Sequence, residues 1–446
     1  MMKRHLAVPF FLITLLIMYF PIKIYTGLDN KQIQAILVFI ALFFMLAFEY
    51  RHRTVLSLAS LAVIWYLGIL SSEDMVRYLD FDVLGLLFGM MVIVESLREA
   101  GFLSIISRVL ISLRMKRFYQ LIVVLSLLTF FLSALLPNAT LILVIVPIAM
   151  EICETLRLNP IPALITLAVS SNIGGLATPV GDPPNIMISS HLGTHFSQFV
   201  RNALPPALLN YLISLGVIAI MFREHLGMRI ESAASVDAGP IVKNSRLLLA
   251  GIPTLITVIL LFFLEDLTGI KPSSAALYGA VFLLMVGGDS MAVILREVNW
   301  DLLIFLGSIL VFSGALERVG VLHILTQTIF SFTHDNEVLL ITLITWISSL
   351  ASAFVDNIPY TAIMIPALDE LVGLTGSEIL WWVLVISVGL GGIATPIASV
   401  PSLVAYSVLR ERYGFRFSEF MRVGFIILAV LASFTNIYYV LLSLVS

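Results

Sequence analysis

Cysteine is all but missing from this chain: among 446 residues there is one, Cys153. A lone thiol excludes an internal disulfide and a thiolate metal centre, and inside an apolar run it reads as small filler. Charge is scarce too. Asp, Glu, Lys and Arg make up 12% of the residues, about half of what a soluble domain carries. No basic excess exists either, since the net charge is −3, so nothing points to nucleic acid. In place of charge the chain has 60% apolar residues and a mean hydropathy of +1.06, with apolar runs along its whole length. It reads as an all-α polytopic protein of the lipid bilayer. The first run follows Lys3 and Arg4 and resembles a signal peptide. No small-residue cleavage site follows it, so it is expected to be a retained span. No cofactor, metal centre or enzyme chemistry is expected.

One phrase is present twice. Residues 170–185 read SSNIGGLATPVGDPPN and residues 387–402 read SVGLGGIATPIASVPS. The stretch Gly174, Gly175, Leu176, Ala177, Thr178, Pro179 matches Gly391, Gly392, Ile393, Ala394, Thr395, Pro396 at an offset of 217. At an offset of 219, Asp82 meets Asp301, Asn138 meets Asn357 and Pro147 meets Pro366. Duplicated Gly, Pro, Asn and Thr inside apolar segments indicate broken membrane helices around a shared site, the pattern of a secondary transporter.

Eleven spans are expected near 6–22, 32–48, 54–70, 82–100, 160–192, 203–222, 247–264, 273–289, 301–317, 378–410 and 422–445. The segments 160–192 and 378–410 exceed one straight crossing and hold the repeated phrase, so each reads as two half-helices joined by unwound backbone. Paired apolar arms at 118–158 and 337–373 meet at Pro137-Asn138 and Asp356-Asn357 and read as re-entrant hairpins. With that topology nineteen of the 25 Lys and Arg residues fall on one side, a clear positive-inside bias. The N-terminus is then inside and the C-terminus outside. The expected organisation is an extra span in 1–31, repeat 1 at 32–222, a cytoplasmic linker at 223–246 and repeat 2 at 247–446. Each repeat has five spans, a hairpin and a broken helix. Five is odd, so the second repeat inserts upside down relative to the first.

The two tips and two breaks supply the candidate site. Solute or ion contacts are expected from Asn138, Thr140, Asn172, Thr178, Asp182, Asn185, Asp356, Asn357, Thr395 and Ser399. Gly174, Gly175, Gly391 and Gly392 would let backbone approach the solute, and Pro179 and Pro396 force the breaks. Half-helix N-termini carry partial positive charge and can hold an anion or polar solute. Asp182 and Asp356 lie deep in apolar sequence, where a carboxylate costs roughly 2.5–3.5 kcal/mol. Neither has a basic neighbour in sequence, so both are candidate proton carriers. The bland alternative makes Asp182 a helix cap and the asparagines turn formers. Glu95 is a further buried acid, but its repeat mate is Gly314, so symmetry gives it no support. His191, His195 and His323 sit near span ends and read as interfacial.

The stretches SNIGGLATPVGDPPNIMI and SAFVDNIPYTAIMIP resemble the ion transporter superfamily, and most of all its arsenite permease (ArsB) and P-protein branch. NhaD sodium/proton antiporters and divalent anion/sodium symporters are more distant likenesses. The resemblance spans nearly the whole chain and implies a dimer with a scaffold domain and a moving transport domain. It places Asn138, Asn172, Thr178, Asp182, Asn185, Asp356, Asn357 and Thr395 on site motifs. The second phrase departs from the pattern, reading Ala398-Ser399-Val400-Pro401-Ser402 where an Asn is common.

With no Lys or Arg on the four site elements, the sequence favours a small uncharged solute. The leading expectation is proton-coupled efflux of arsenite or antimonite across the cytoplasmic membrane, by a homodimer to which a cytoplasmic ATPase subunit could dock. A sodium/proton antiporter and an organic or inorganic anion transporter are the alternatives. An intramembrane aspartyl protease built on Asp182 and Asp356 is a remote one, since a catalytic dyad has no use for two matched helix breaks.

Overall fold

The computed structural model describes residues 28–48, 50–102, 115–228, 243–334 and 336–445, with the single positions 23 and 105. The expected span at 6–22 and linker residues 229–242 lie outside the described residues. Repeat 1 comprises α1 (Asn30–Ala47), α2 (Arg53–Tyr66), α3 (Phe81–Ala100), α4 (Phe118–Ser133), α5 (Asn138–Thr155), α6 (Pro160–Gly175), α7 (Pro183–Leu192) and α8 (Phe196–Met221). Repeat 2 returns these eight in order, with α12 added between the third and fourth, as α9 (Ser245–Phe263), α10 (Pro272–Gly287), α11 (Trp300–Arg318), α12 (Val321–Thr333), α13 (Glu337–Phe354), α14 (Asn357–Thr375), α15 (Ile379–Gly391), α16 (Val400–Tyr413) and α17 (Phe417–Ser443). Among the described residues, seven helices are long and apolar enough to cross a membrane.

The helix ends follow from the sequence. Pro160, Pro183, Pro272 and Pro401 sit in the first turn of α6, α7, α10 and α16, where a missing N–H costs nothing. In α6 every residue but Ile161 is buried, and in α15 every residue but Ile379 and Trp382. Helices apolar on all sides belong in the core of a bundle, and these two form its centre.

One element was not legible as such. The 13-residue α12 falls between the expected span at 301–317 and the expected hairpin at 337–373, where no element was expected. At 1.5 Å per residue it is about 20 Å long, too short for a hydrocarbon core of about 30 Å. It packs beside α11, α13 and α14 instead.

Contacts at the helix ends show the inversion. Lys31 Nζ donates to the Gly68 carbonyl (3.1 Å), Gln32 Nε2 donates to the Val319 carbonyl (2.9 Å), and Arg318 pairs with Asp74. The start of α1, the end of α2 and the end of α11 therefore share one face. At the other face the start of α2 meets the start of α11, where Arg53 and Thr54 bind Asp301. Since α3 begins just after the short helix Ser72–Tyr78, it starts on the face where α11 ends. The counterparts α3 and α11 thus run in opposite directions. The repeats also interlock: α2 packs along α11 and α10 along α3, while α7 lies against α14 and α16 against α5.

Candidate functional site

The same hydrogen bonds build each hairpin tip. Ser133 Oγ donates to Asn138 Oδ1 and reaches the Ser171 carbonyl at 2.7 Å. Ser352 Oγ donates to Asn357 Oδ1 and reaches the Val388 carbonyl at 2.7 Å. Each serine thereby fixes the tip asparagine and staples the tip to the neighbouring broken helix. A second pair of staples holds the unwound segments. Thr178 Oγ1 donates to the Ala134 carbonyl, and Thr395 Oγ1 to the Ala353 carbonyl at 2.6 Å. Asn185 Nδ2 bonds the Gly175 and Thr178 carbonyls at 2.9 and 3.0 Å, while its counterpart Ser402 bonds the Gly392 carbonyl at 2.7 Å. Carbonyls freed by the breaks are in this way satisfied from within, as a low-dielectric interior requires.

These staples bring the first residues of α5, α7, α14 and α16 around one cleft of about 650 Å³, mouth included. Asn138, Asn172, Asp182, Asn357 and Ser399 line it together with Arg53, Asn299 and Leu302. Four helix N-termini converge there, and each contributes a fraction of a positive charge; at α7 the opening prolines Pro183 and Pro184 carry no N–H, so the dipole acts there without free donors. Its mouth lies on the face where α2 and α11 begin.

Arg53 corrects the expectation that the site has no fixed cation and that its carboxylates stand unpaired. Its Nε donates to Asp301 Oδ2 at 2.9 Å and its Nη1 to Asp356 Oδ2 at 3.4 Å. The guanidinium also lies over the Phe305 ring, 5.2 Å from the centroid. Arg53 reads from sequence as a flank of a cytoplasmic loop, and 303 residues separate it from Asp356. The available signal was the matched pair Asp82 and Asp301 at the starts of α3 and α11, which marked those helix ends as charged junctions.

The two cleft carboxylates differ. Asp356 caps α14, accepting from Ile358 N at 3.0 Å, and also holds Arg53. Asp182 occupies the cap position of α7 in extended backbone but makes no cap bond, so the capping alternative does not describe its side chain. Its oxygen instead faces Asn138 Nδ2 at 3.4 Å. The position matched to Asp182 is Ser399, which caps α16 by accepting from Ser402 N at 3.3 Å. Asn172 Nδ2 bonds the Ala168 carbonyl at 2.9 Å and turns toward Ser402 Oγ at 3.4 Å. Thr140, Thr178, Asn185 and Thr395 do not line the cleft. Glu95 lies outside it, paired with Arg98 at 2.5 Å. His191 and His195 pair with Asp369 (3.4 Å) and Asp266 (3.2 Å), and His323 with Glu370.

The glycine pairs serve the protein's own packing. A Cβ on Gly174 would strike the Phe130 backbone, and one on Gly391 would come within 2.6 Å of the Ser349 carbonyl. Gly175 lies under the Asn138 amide and Gly392 under that of Asn172. Glycine at 174 and 391 is what lets α4 and α13 touch the broken helices backbone to backbone. Gly174→Ala should therefore lower stability by about 1–3 kcal/mol, the usual cost of overpacking. Gly216→Ala, with open space around its Cβ, should cost nothing. Thermal unfolding of both variants in detergent checks this; equal melting temperatures would contradict the packing role.

Interlocked inverted repeats, two broken helices and a cleft between them that holds Arg53, Asp182 and Asp356 define a secondary transporter. The chain belongs to the citrate transporter family (CitMHS), whose model matches residues 41–387. An uncharacterized transporter of Mycobacterium tuberculosis is 32% identical over 91% of this chain and 98% of its own length. The human P protein is 28% identical over 86% of this chain and 57% of its own, in keeping with the resemblance read from the motifs. The fold is that of the YdaH transporter of Alcanivorax borkumensis, with a TM-score of 0.61 and 14% identity over 92% of this chain and 98% of that one.

Proposed function

We propose that the protein carries a small carboxylate-bearing anion through this cleft together with protons. The observation that carries the reading is Arg53, a fixed guanidinium at the meeting point of four helix N-termini. A planar fork of donors suits carboxylates, and the family's description as a citrate transporter agrees with that chemistry. The neutral trihydroxide expected from sequence loses its premise, because that expectation rested on a cleft without a fixed cation.

Coupling follows from charge. Asp356 holds Arg53, and Asp182 faces the same space. An incoming carboxylate about 4–5 Å from an ionised Asp meets a repulsion of about 3–4 kcal/mol at an effective dielectric near 20. Protonating Asp356 frees the Nη1 edge of Arg53 for the solute while Asp301 keeps Nε, and protonating Asp182 removes the second repulsion. Proton and anion therefore favour each other's binding, and linkage makes the effect mutual. That coupling is symport rather than the exchange expected from sequence.

A panel in proteoliposomes with an imposed pH gradient tests the reading. Citrate or succinate should accumulate, while arsenite and sodium should not. Arsenite movement without carboxylate uptake would reinstate the metalloid exporter, and sodium movement alone the antiporter.

The Lys and Arg bias supports a cytoplasmic membrane in which the Arg53 face is inside. Cysteine placed at Lys116, before the first hairpin, should then label from the cytoplasm. Cysteine placed at His334, before the second, should label from outside. Labelling of both from one side would contradict this placement.

A further inference from the structure

The Arg53 cluster has a twin on the opposite face. At the same offset of 219, His52 matches Lys271, Thr54 matches Ser273 and Asp301 matches Asp82. The bonding is repeated with the residues. Thr54 Oγ1 donates to Asp301 Oδ1, and Ser273 Oγ donates to Asp82 Oδ1 at 2.6 Å. Arg53 Nε grips the other Asp301 oxygen at 2.9 Å, and Lys271 Nζ grips the other Asp82 oxygen at 2.6 Å. The cation is displaced by one residue, because Pro272 fills the place matched to Arg53. In each cluster one carboxylate is held by a hydroxyl and a long basic side chain at the junction of two interlocked helices.

The twin also borders a cleft. A space of about 930 Å³, mouth included, is lined by Lys271, Asp82 and Ser273 and reaches Pro179 at the first break and Ile186 on α7. The half-helix α7 thus separates the two clefts, with Pro183 facing one and Ile186 the other. The clusters differ in occupation. Arg53 is engaged with the tip acid Asp356 and is 27% exposed, whereas Lys271 meets no tip residue and is 66% exposed. The position matched to Asp356 is Pro137, so no tip acid exists for Lys271 to hold. An ion pair as open as Lys271 with Asp82 adds little to stability. Asp82 beside it raises the Lys271 pKa, so the ammonium stays charged.

We infer that Lys271 is a recognition residue for the solute anion on the face opposite Arg53: when the site turns to that face, Lys271 supplies the fixed cation that Arg53 supplies in the present state. The inference rests on the proposed carboxylate function and on the inverted repeats, which give two related states open to opposite faces. Asp82 holds the ammonium until a carboxylate arrives, as Asp301 holds Arg53. His195 and Glu265 flank the same cleft and pair with each other at 3.8 Å, leaving Lys271 as its one fixed cation.

The test is citrate flux in proteoliposomes of known orientation, with KM measured separately from each face for wild type, Lys271→Ala and Lys271→Arg. Lys271→Ala should raise KM about tenfold from the Lys271 face, with KM from the Arg53 face unchanged, and Lys271→Arg should restore it. Lys271 is exposed, so its truncation removes no core packing, and melting temperature in detergent controls for misfolding. Equal effects from both faces, or none, overturn this inference while wild-type citrate flux upholds the carboxylate reading. Absence of citrate and succinate flux in the wild type overturns both.

Discussion

Arg53→Ala should reduce kcat/KM for a di- or tricarboxylate by about 10- to 150-fold, equivalent to the 1.5–3 kcal/mol of a hydrogen bond to a charged group. The loss has two parts. The solute loses a forked donor, and Asp356 and Asp301 lose the guanidinium that balances them. The second part makes the site more negative and repels the anion further. Arg53→Ala combined with Asp356→Asn should therefore recover part of the rate, since the double variant leaves one fewer uncompensated charge in the cleft. Arg53→Lys should fall between wild type and alanine, because an ammonium keeps the charge but not the planar fork. Uptake kinetics of wild type, Arg53→Ala, Asp356→Asn, the double variant and Arg53→Lys decide the matter. An additive double variant would show that Arg53 and Asp356 act independently and would separate the ion pair from transport.

Asp182→Asn should remove one of the two coupled protons while leaving downhill exchange intact. Asparagine keeps the size and hydrogen-bonding capacity of the side chain that faces Asn138 but cannot carry a proton. Each proton moving down a gradient of one pH unit supplies about 1.4 kcal/mol, or a tenfold solute accumulation. With two carriers, Asp182 and Asp356, the limit is about a hundredfold, and losing one should lower it to about tenfold. The steady-state ratio of internal to external citrate under a fixed gradient measures this. An unchanged ratio in Asp182→Asn would remove Asp182 from the coupling pathway. Asp356→Asn is the less clean substitution, because Asp356 also caps α14 and holds Arg53, so a lower rate is expected there beside the lower ratio.

Much of the architecture was legible because its cause is local. Prolines at 160, 183 and 401 start helices, duplicated Gly-Pro phrases break them, and apolar length fixes the spans. The repeat carried the symmetry, so the four converging elements could be named from spacing alone. The 13-residue α12 was lost because its amphipathic stretch, with His323, Thr326 and Gln327 among apolar residues, falls between the lengths of a loop and a span. Within the site, Asn138, Asn357, Asp182 and Ser399 come together as the repeat implied, while Thr178, Thr395 and Asn185 turn inward to hold the breaks. Local pattern cannot tell those two fates apart, since a Thr beside a break can serve a solute or a carbonyl equally well. Arg53 escaped for a different reason. Its place in the cleft is set by the interlocking of α2 with α11, a contact between repeats that no spacing rule within one repeat encodes.

The direction in which protons move with the anion tests the central claim most directly. Proteoliposomes loaded with a pH-sensitive dye and given an inward citrate gradient, with the membrane potential clamped and no sodium present, report it in one trace. Symport through the Arg53 cleft predicts that the interior acidifies as citrate enters, and that Asp182→Asn slows the acidification more than the citrate uptake. Alkalinisation of the interior, or citrate entry with no pH change until sodium is added, would contradict the account.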